Sequence, residues 1–114
     1  MNGKKAESLA AFYLRMHGYQ ILDRNFHSRF GEIDIIAKRF KTIVFVEVKA
    51  RGEGYLAEPG YAVDEYKQKK IIKTSQLYIL YKKLDAFDIR FDVIEITKKG
   101  VHFGVNHIKN AFEV

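Results

Sequence analysis

Glu47 and Lys49 stand two residues apart in Ile43–Ala50 (IVFVEVKA), a run that is otherwise apolar. Strand side chains alternate between faces, so Val44, Val46, Val48 and Ala50 share one side and Ile43, Phe45, Glu47 and Lys49 the other. A strand this apolar belongs in the middle of a sheet, with both faces covered. An unpaired charge is expensive there, so both charged residues need partners. Held on one face, they suit phosphoryl chemistry: the carboxylate for a divalent cation, the ammonium for charge developing on a phosphate or for positioning the attacking water. A plain ion pair at a strand end, Glu47–Lys49 or Glu32–Lys49, satisfies the same pattern. Glu-x-Lys alone does not decide between them.

The preceding run, Gly31–Lys38 (GEIDIIAK), supplies a second acid. Arg39–Thr42 reads as a tight turn between two strands. If Phe40 and Lys41 form a two-residue turn, Arg39 faces Thr42, Ile36 faces Phe45, Asp34 faces Glu47 and Glu32 faces Lys49. Opposed carboxylates repel, and a magnesium ion between them reverses the sign of that interaction. A three-residue turn would put Val48 opposite Asp34 and destroy the arrangement.

These residues must be positioned by the rest of the chain. Lys4–His17 reads as a helix with apolar positions at Leu9, Phe12, Tyr13 and Met16, and Gly18 where its C-cap belongs. Tyr19–Phe26 is a short strand. Gly52–Gly60 (GEGYLAEPG) holds the only proline and is a loop. Val63–Lys83 is a long helix, with Ile71, Ile72, Leu77, Tyr78 and Tyr81 as apolar positions. Ile89–Thr97 is a strand, and Lys98, Lys99 and Gly100 turn into a last strand, Val101–Val105. The predicted class is α/β: a mixed β-sheet flanked by helices, in the order α-β-β-β-α-β-β, forming one domain over 1–114.

With 114 residues the chain can bury a real core without staples. It has no cysteine, which removes disulfides and thiolate metal sites. No apolar run approaches the roughly 20 residues of a membrane span, and the N-terminal segment lacks the short continuous apolar stretch of a signal peptide. A cytoplasmic protein with no membrane partner is expected. The net charge of +6 suits a polyanionic partner.

The residues also resemble a known family. Ala6–Glu7, Gly18–Tyr19, Ile21–Leu22, Arg24–Asn25, Gly31-Glu32-Ile33-Asp34, Phe45-Val46-Glu47-Val48-Lys49, Arg51, Ala62–Val63, Lys67–Gln68, Lys70 and Arg90-Phe91-Asp92 together resemble the YraN family, covering nearly the whole chain. Members are small bacterial proteins and predicted endonucleases, distantly similar to archaeal Holliday junction resolvases and sharing the restriction-endonuclease-like, PD-(D/E)XK fold. The resemblance implies that Asp34 is the aspartate of the motif, that Glu47 and Lys49 are its E-x-K, and that Glu7 is the first-helix acid that assists metal binding. Ile33 stands where the motif's name has proline. The resolvases imply a homodimer, since a two-fold protein matches a junction.

The expected activity is therefore a magnesium-dependent, structure-dependent DNA endonuclease in repair or recombination, with manganese as substitute and no small-molecule cofactor. Asp34, Glu47 and Glu7 would hold the metal, and Lys49 would assist. Arg24 and Arg51 flank the cluster and can grip phosphate. Lys67, Lys70 and Lys73 belong to a lysine-rich helix beside it and are assigned to the DNA backbone, with Gln68 to position a water. A solvated face explains those lysines equally well. His17, His27, His102 and His107 lack zinc-ligand spacing. Tyr55, in the glycine-rich loop, is a contact for nucleic acid or a second subunit. The alternatives are a nucleic-acid-binding module without catalysis, or a partner in a repair complex retaining the same fold.

Overall fold

The computed structural model describes residues 2–52 and 63–114. Tyr55 and the glycine-rich loop beyond Gly52 lie outside the described residues. The elements are α1 (Gly3–Met16), β1 (Gln20–Ser28), β2 (Gly31–Arg39), β3 (Thr42–Arg51), α2 (Glu65–Lys82), β4 (Asp88–Lys99) and β5 (His102–Phe112), in the order expected from the sequence.

The five strands lie in sequence order, β1-β2-β3-β4-β5, so the apolar β3 is central. It pairs antiparallel with β2 and parallel with β4, which α2 makes possible by carrying the chain back. The β2–β3 connection is the two-residue turn Phe40–Lys41, with Arg39 opposite Thr42 and Ile36 opposite Phe45.

Each face of the sheet carries a core. Val44 and Val46 of β3, with Ile35, Ala37, Ile94 and Ile96, pack against α1. Ile43 and Phe45 lie with Ile36, Phe91, Ile71 and Tyr78 on the α2 side. The Phe45, Phe91 and Phe112 rings stack in sequence there, with centroids 5.6 and 5.1 Å apart.

Both helices present faces rotated from those expected. α1 buries Ala6, Ala10, Ala11 and Leu14, while Phe12 and Met16 point into solvent. The small alanines let the helix backbone approach the sheet closely, and this outweighs the larger side chains on the opposite face. α2 buries Ile71, Thr74, Ser75 and Tyr78, and leaves Tyr81 exposed. Its Thr74 and Ser75 hydroxyls are satisfied by Ser28 Oγ at 2.8 Å and the Ile72 carbonyl at 2.6 Å. Among the described residues no helix is long and apolar enough to cross a membrane.

The last strand is longer than Val101–Val105. Val101 belongs to the turn, and β5 runs on until Phe112 pairs with Phe91. Its polar stretch serves a buried charge. Asp92, fully buried, accepts from Arg90 Nε and Nη2 (2.9 and 2.8 Å), His107 Nε2 (2.7 Å) and the Asn110 backbone N–H (3.0 Å). Arg90 Nη2 also donates to Tyr19 Oη at 2.6 Å, and His107 Nδ1 lies 3.1 Å from Tyr13 Oη. Burial pushes the Asp92 carboxyl up, but the His107, Arg90 and Asn110 hydrogen bonds outweigh it and hold Asp92 below the usual carboxylate range. The cluster ties β4 and β5 to α1 and to Tyr19, just ahead of β1.

Candidate active site

The β2–β3 ladder ends one step short of the carboxylates. Its last pair is Ile35 with Val46. Beyond it β2 leaves β3, and the side-chain alternation breaks: Ile33 joins the α2-side core with Ile36, although Ile35 lies on the α1 side. Next to this point β1 is irregular too. Asn25, between the pairs Arg24–Ile35 and Phe26–Ile33, takes φ 54°, the left-handed region that asparagine tolerates better than most residues. Asp34 thus lies in the fork between two parting strands.

Its carboxylate replaces the missing backbone rung. Asp34 Oδ2 accepts the Val48 N–H at 2.8 Å. Glu47, only 4% exposed, comes from β3 into the same fork. Burial first, then a hydrogen bond and charge repulsion from Glu47, push the Asp34 carboxyl up to about 8. Asp34 therefore keeps its proton near neutral pH, beside the Glu47 side chain. Glu32 does not continue the register to Lys49. It pairs across β1 with His27, at 3.1 Å, because β2 follows β1 after the fork.

Two lysines converge on one oxygen of Glu47. Lys49 Nζ lies 3.6 Å from Glu47 Oε2, and Lys67 Nζ of α2 makes a direct ion pair with the same atom. Burial lowers the Lys49 ammonium below the usual lysine range despite Glu47, and Lys67 beside it adds to the depression. Burial works the same way on Lys67, but its hydrogen bond and attraction to Glu47 outweigh it and hold that ammonium above the ordinary value. Asp64, the N-cap of α2, accepts the Lys67 backbone N–H at 2.8 Å and fixes where this lysine leaves the helix. Lys67, assigned on sequence to the DNA backbone, is therefore part of the carboxylate cluster.

Glu7 enters from α1. Its Oε1 accepts from Arg24 Nε at 3.1 Å and Asn25 Nδ2 at 2.9 Å, and its charge adds to the raised proton affinity of Asp34. Arg24 also donates to Ser8 Oγ at 3.2 Å, so it holds α1 to β1. Arg51 meets Glu95, a buried acid of β4, with Nε 3.4 Å from Oε2, and Asn106 donates to the other oxygen at 3.0 Å. Glu95 pairs directly with Lys49 in the β3–β4 ladder. Sequence reasoning missed it, although an acid inside the apolar run Val93–Ile96 was the available signal. Gln68 Nε2 donates to the Val63 carbonyl at 3.0 Å, bracing the start of α2. Lys70 and Lys73 lie on the helix exterior, over the rings of Tyr66 and Phe30.

A half-buried and a buried carboxyl side by side form a hard oxygen donor pair, which suits magnesium completed by water and phosphate. Among the described residues, no group of three or more His, Asp or Glu side chains is placed to hold a metal ion. Two ammonium groups stand at the edge of the Asp34–Glu47 pair.

The model of uncharacterised protein family UPF0102 matches residues 6–96. The chain is 46% identical to a UPF0102 protein of Persephonella marina, covering all of this chain and 95% of that one. It is 50% identical to one of Geobacter metallireducens, over 98% and 92% of the two chains. A Clostridium tetani UPF0102 protein is 49% identical over 98% and 93%. With a family model spanning the site elements from α1 to β4 and relatives matched along nearly their whole length, the chain belongs to the UPF0102 family, the YraN family that its sequence resembles.

Proposed function

We propose that this protein is a magnesium-dependent DNA endonuclease of the restriction-endonuclease-like, PD-(D/E)XK type, acting in the cytoplasm on branched or otherwise irregular DNA. The observation that carries the reading is the fork: Asp34, fixed by the Val48 N–H, stands there beside Glu47, with two ammonium groups on the Glu47 carboxylate. Buried acids that cannot both ionise unaided are poised to exchange a proton for a cation.

Magnesium bound to these carboxylates supplies Lewis-acid stabilisation of the phosphate and a more acidic water. Asp34, fixed by the Val48 N–H, and Glu47 would hold the ion. Lys49, depressed by burial, sits where it can steady the charge growing on a phosphate or orient the attacking water. Lys67, whose ammonium neutralises Glu47, would be available to a substrate phosphate beside the pair. Glu7 adds negative potential, and Arg24 and Asn25 hold it in position.

A second reading is a binding module without catalysis. Its support is that Lys67 and Lys49 already neutralise Glu47 with no metal. Cleavage of branched, flapped and linear DNA with magnesium, manganese or EDTA separates the two. A nuclease cuts only with metal and loses activity in Glu47→Gln, whereas a pure binder retains DNA equally in EDTA and never cuts.

A further inference from the structure

The outer face of α2 carries more than charge. Tyr66, Lys69, Lys70 and Lys73 fall at i, i+3, i+4 and i+7, a single stripe along the helix. From Tyr66 to Leu84 the chain has six lysines and no carboxylate. Tyr66 is 70% exposed, and Lys70 Nζ lies 4.4 Å from the centroid of its ring. The stem of Lys70 presses on the β1–β2 turn: a Cβ placed on Gly31 would meet Lys70 Cβ at 3.5 Å. In that turn Phe30 has Arg29 Cζ at 5.0 Å and Lys73 Nζ at 5.3 Å from its ring centroid. Lys69 makes only a loose pair with Glu65, at 3.9 Å.

Two aromatic rings, each with a cation over it, therefore line one basic rim. Lys70, at the rim, lies three positions from Lys67 on the same helix, and Lys67 reaches Glu47, so the rim borders the carboxylate pair. Lysines alone would track a phosphate backbone, and an exposed tyrosine adds nothing to that. A ring beside cations gives a stacking surface, and only a base without a stacked neighbour has a face to offer it. In an uninterrupted duplex the bases are already stacked and the ring would meet phosphate.

We infer that Tyr66, with Lys70, Lys73 and the Arg29–Phe30 turn, is a docking platform for an unpaired DNA strand, which it leads into the carboxylate site. The inference rests on the nucleic-acid part of the proposed function and deepens it: the substrate class becomes DNA with a single-stranded segment, such as a flap, fork or open branch.

The test is fluorescence anisotropy in EDTA, with a labelled oligothymidylate and a blunt duplex of equal length. Wild-type protein should favour the single strand. Tyr66→Ala should weaken single-strand binding about 10-fold or more while duplex binding changes less than about twofold, and Tyr66→Phe should bind like wild type. Lys70→Gln with Lys73→Gln should weaken both forms and flatten the salt dependence. Circular dichroism and melting temperature establish that each variant is folded. Equal loss on both DNA forms, no loss at all, or a wild-type preference for duplex overturns the inference. So does displacement of the DNA by polyglutamate at equal charge concentration, which would make the platform a site for acidic protein. Binding of neither DNA overturns the nucleic-acid reading as well. Binding as expected, without cleavage when magnesium is added, keeps the platform and removes the nuclease.

Discussion

Asp34 and Glu47 come from neighbouring strands that part just before the two residues would pair, and their carboxyl groups meet in the opening. The backbone does not finish the ladder; a side chain does, through the Asp34 contact with the Val48 N–H.

This relationship sets a pH dependence. An unfolded aspartate titrates near 4, while folded Asp34 titrates at about 8. Between those values the folded protein holds a proton that the unfolded chain has lost. Stability is therefore full below about pH 4 on this account and declines as pH rises through about 8. Urea unfolding in EDTA should give a lower midpoint at pH 9 than at pH 6. Asp34→Asn should flatten that dependence, and parallel curves for the two proteins would count against a protonated Asp34.

Metal binding should displace the same proton. Magnesium should raise the melting temperature of wild-type protein, and its apparent affinity should climb by up to about tenfold per pH unit until about pH 8. Calorimetry in buffers of different ionisation enthalpy would read about one proton released per ion. An identical magnesium response in Asp34→Asn would place the ion elsewhere.

Glu47→Gln and Lys49→Ala should both remain folded. Lys67 and Lys49 have side chains 43% and 26% exposed, so an abandoned ammonium can turn to water, and the loss should be on the order of 1 kcal/mol. Cleavage should fall to background in Glu47→Gln and by about 100-fold or more in Lys49→Ala, with DNA binding intact. Full activity in either folded variant removes that residue from catalysis.

Asp64→Ala tests how Lys67 is positioned. It removes the cap on the Lys67 N–H and should cost about 1 kcal/mol in unfolding free energy. Cleavage should fall beyond what stability explains, with a smaller defect in Asp64→Asn, which keeps a capping oxygen. A loss of stability with unchanged cleavage would make the cap purely structural.

Asp92→Ala should be the most damaging single change, about 3–5 kcal/mol, since it leaves Arg90 and His107 without their shared acid. Thermal unfolding checks it. A shift of under a degree would mean that the cluster carries no stability.

Much of this was legible in residue order. The alternation in Ile43–Ala50 placed Glu47 and Lys49 on one face, and the two-residue turn fixed the register as far as Ile35. Local patterns carry that information because a strand's period and a turn's length are local properties. Three features were not legible. Lys67 read as one lysine in a charge run, and only the tertiary placement of the start of α2 brings it to Glu47. The second half of β5 lies beyond the strand expected to end at Val105, because Asn106, His107, Lys109 and Asn110 interrupt its alternation. His107 and Asn110 stand there to serve Asp92, a partner 15 or more positions away. The fork was invisible because strand alternation, applied uniformly, predicts no break at Asp34.

The parallel pairing of β3 with β4 has a consequence for how the protein is made. The residues from Gly52 to Phe87 separate the two strands, so their contact closes a long loop and should form late. The β2–β3 hairpin closes across two residues, on the order of microseconds. During synthesis both Asp34 and Glu47 leave the ribosome before Lys67. For that interval the nascent hairpin carries both acids and Lys49 without the α2 lysine, and water solvates the carboxylates that the finished fold encloses.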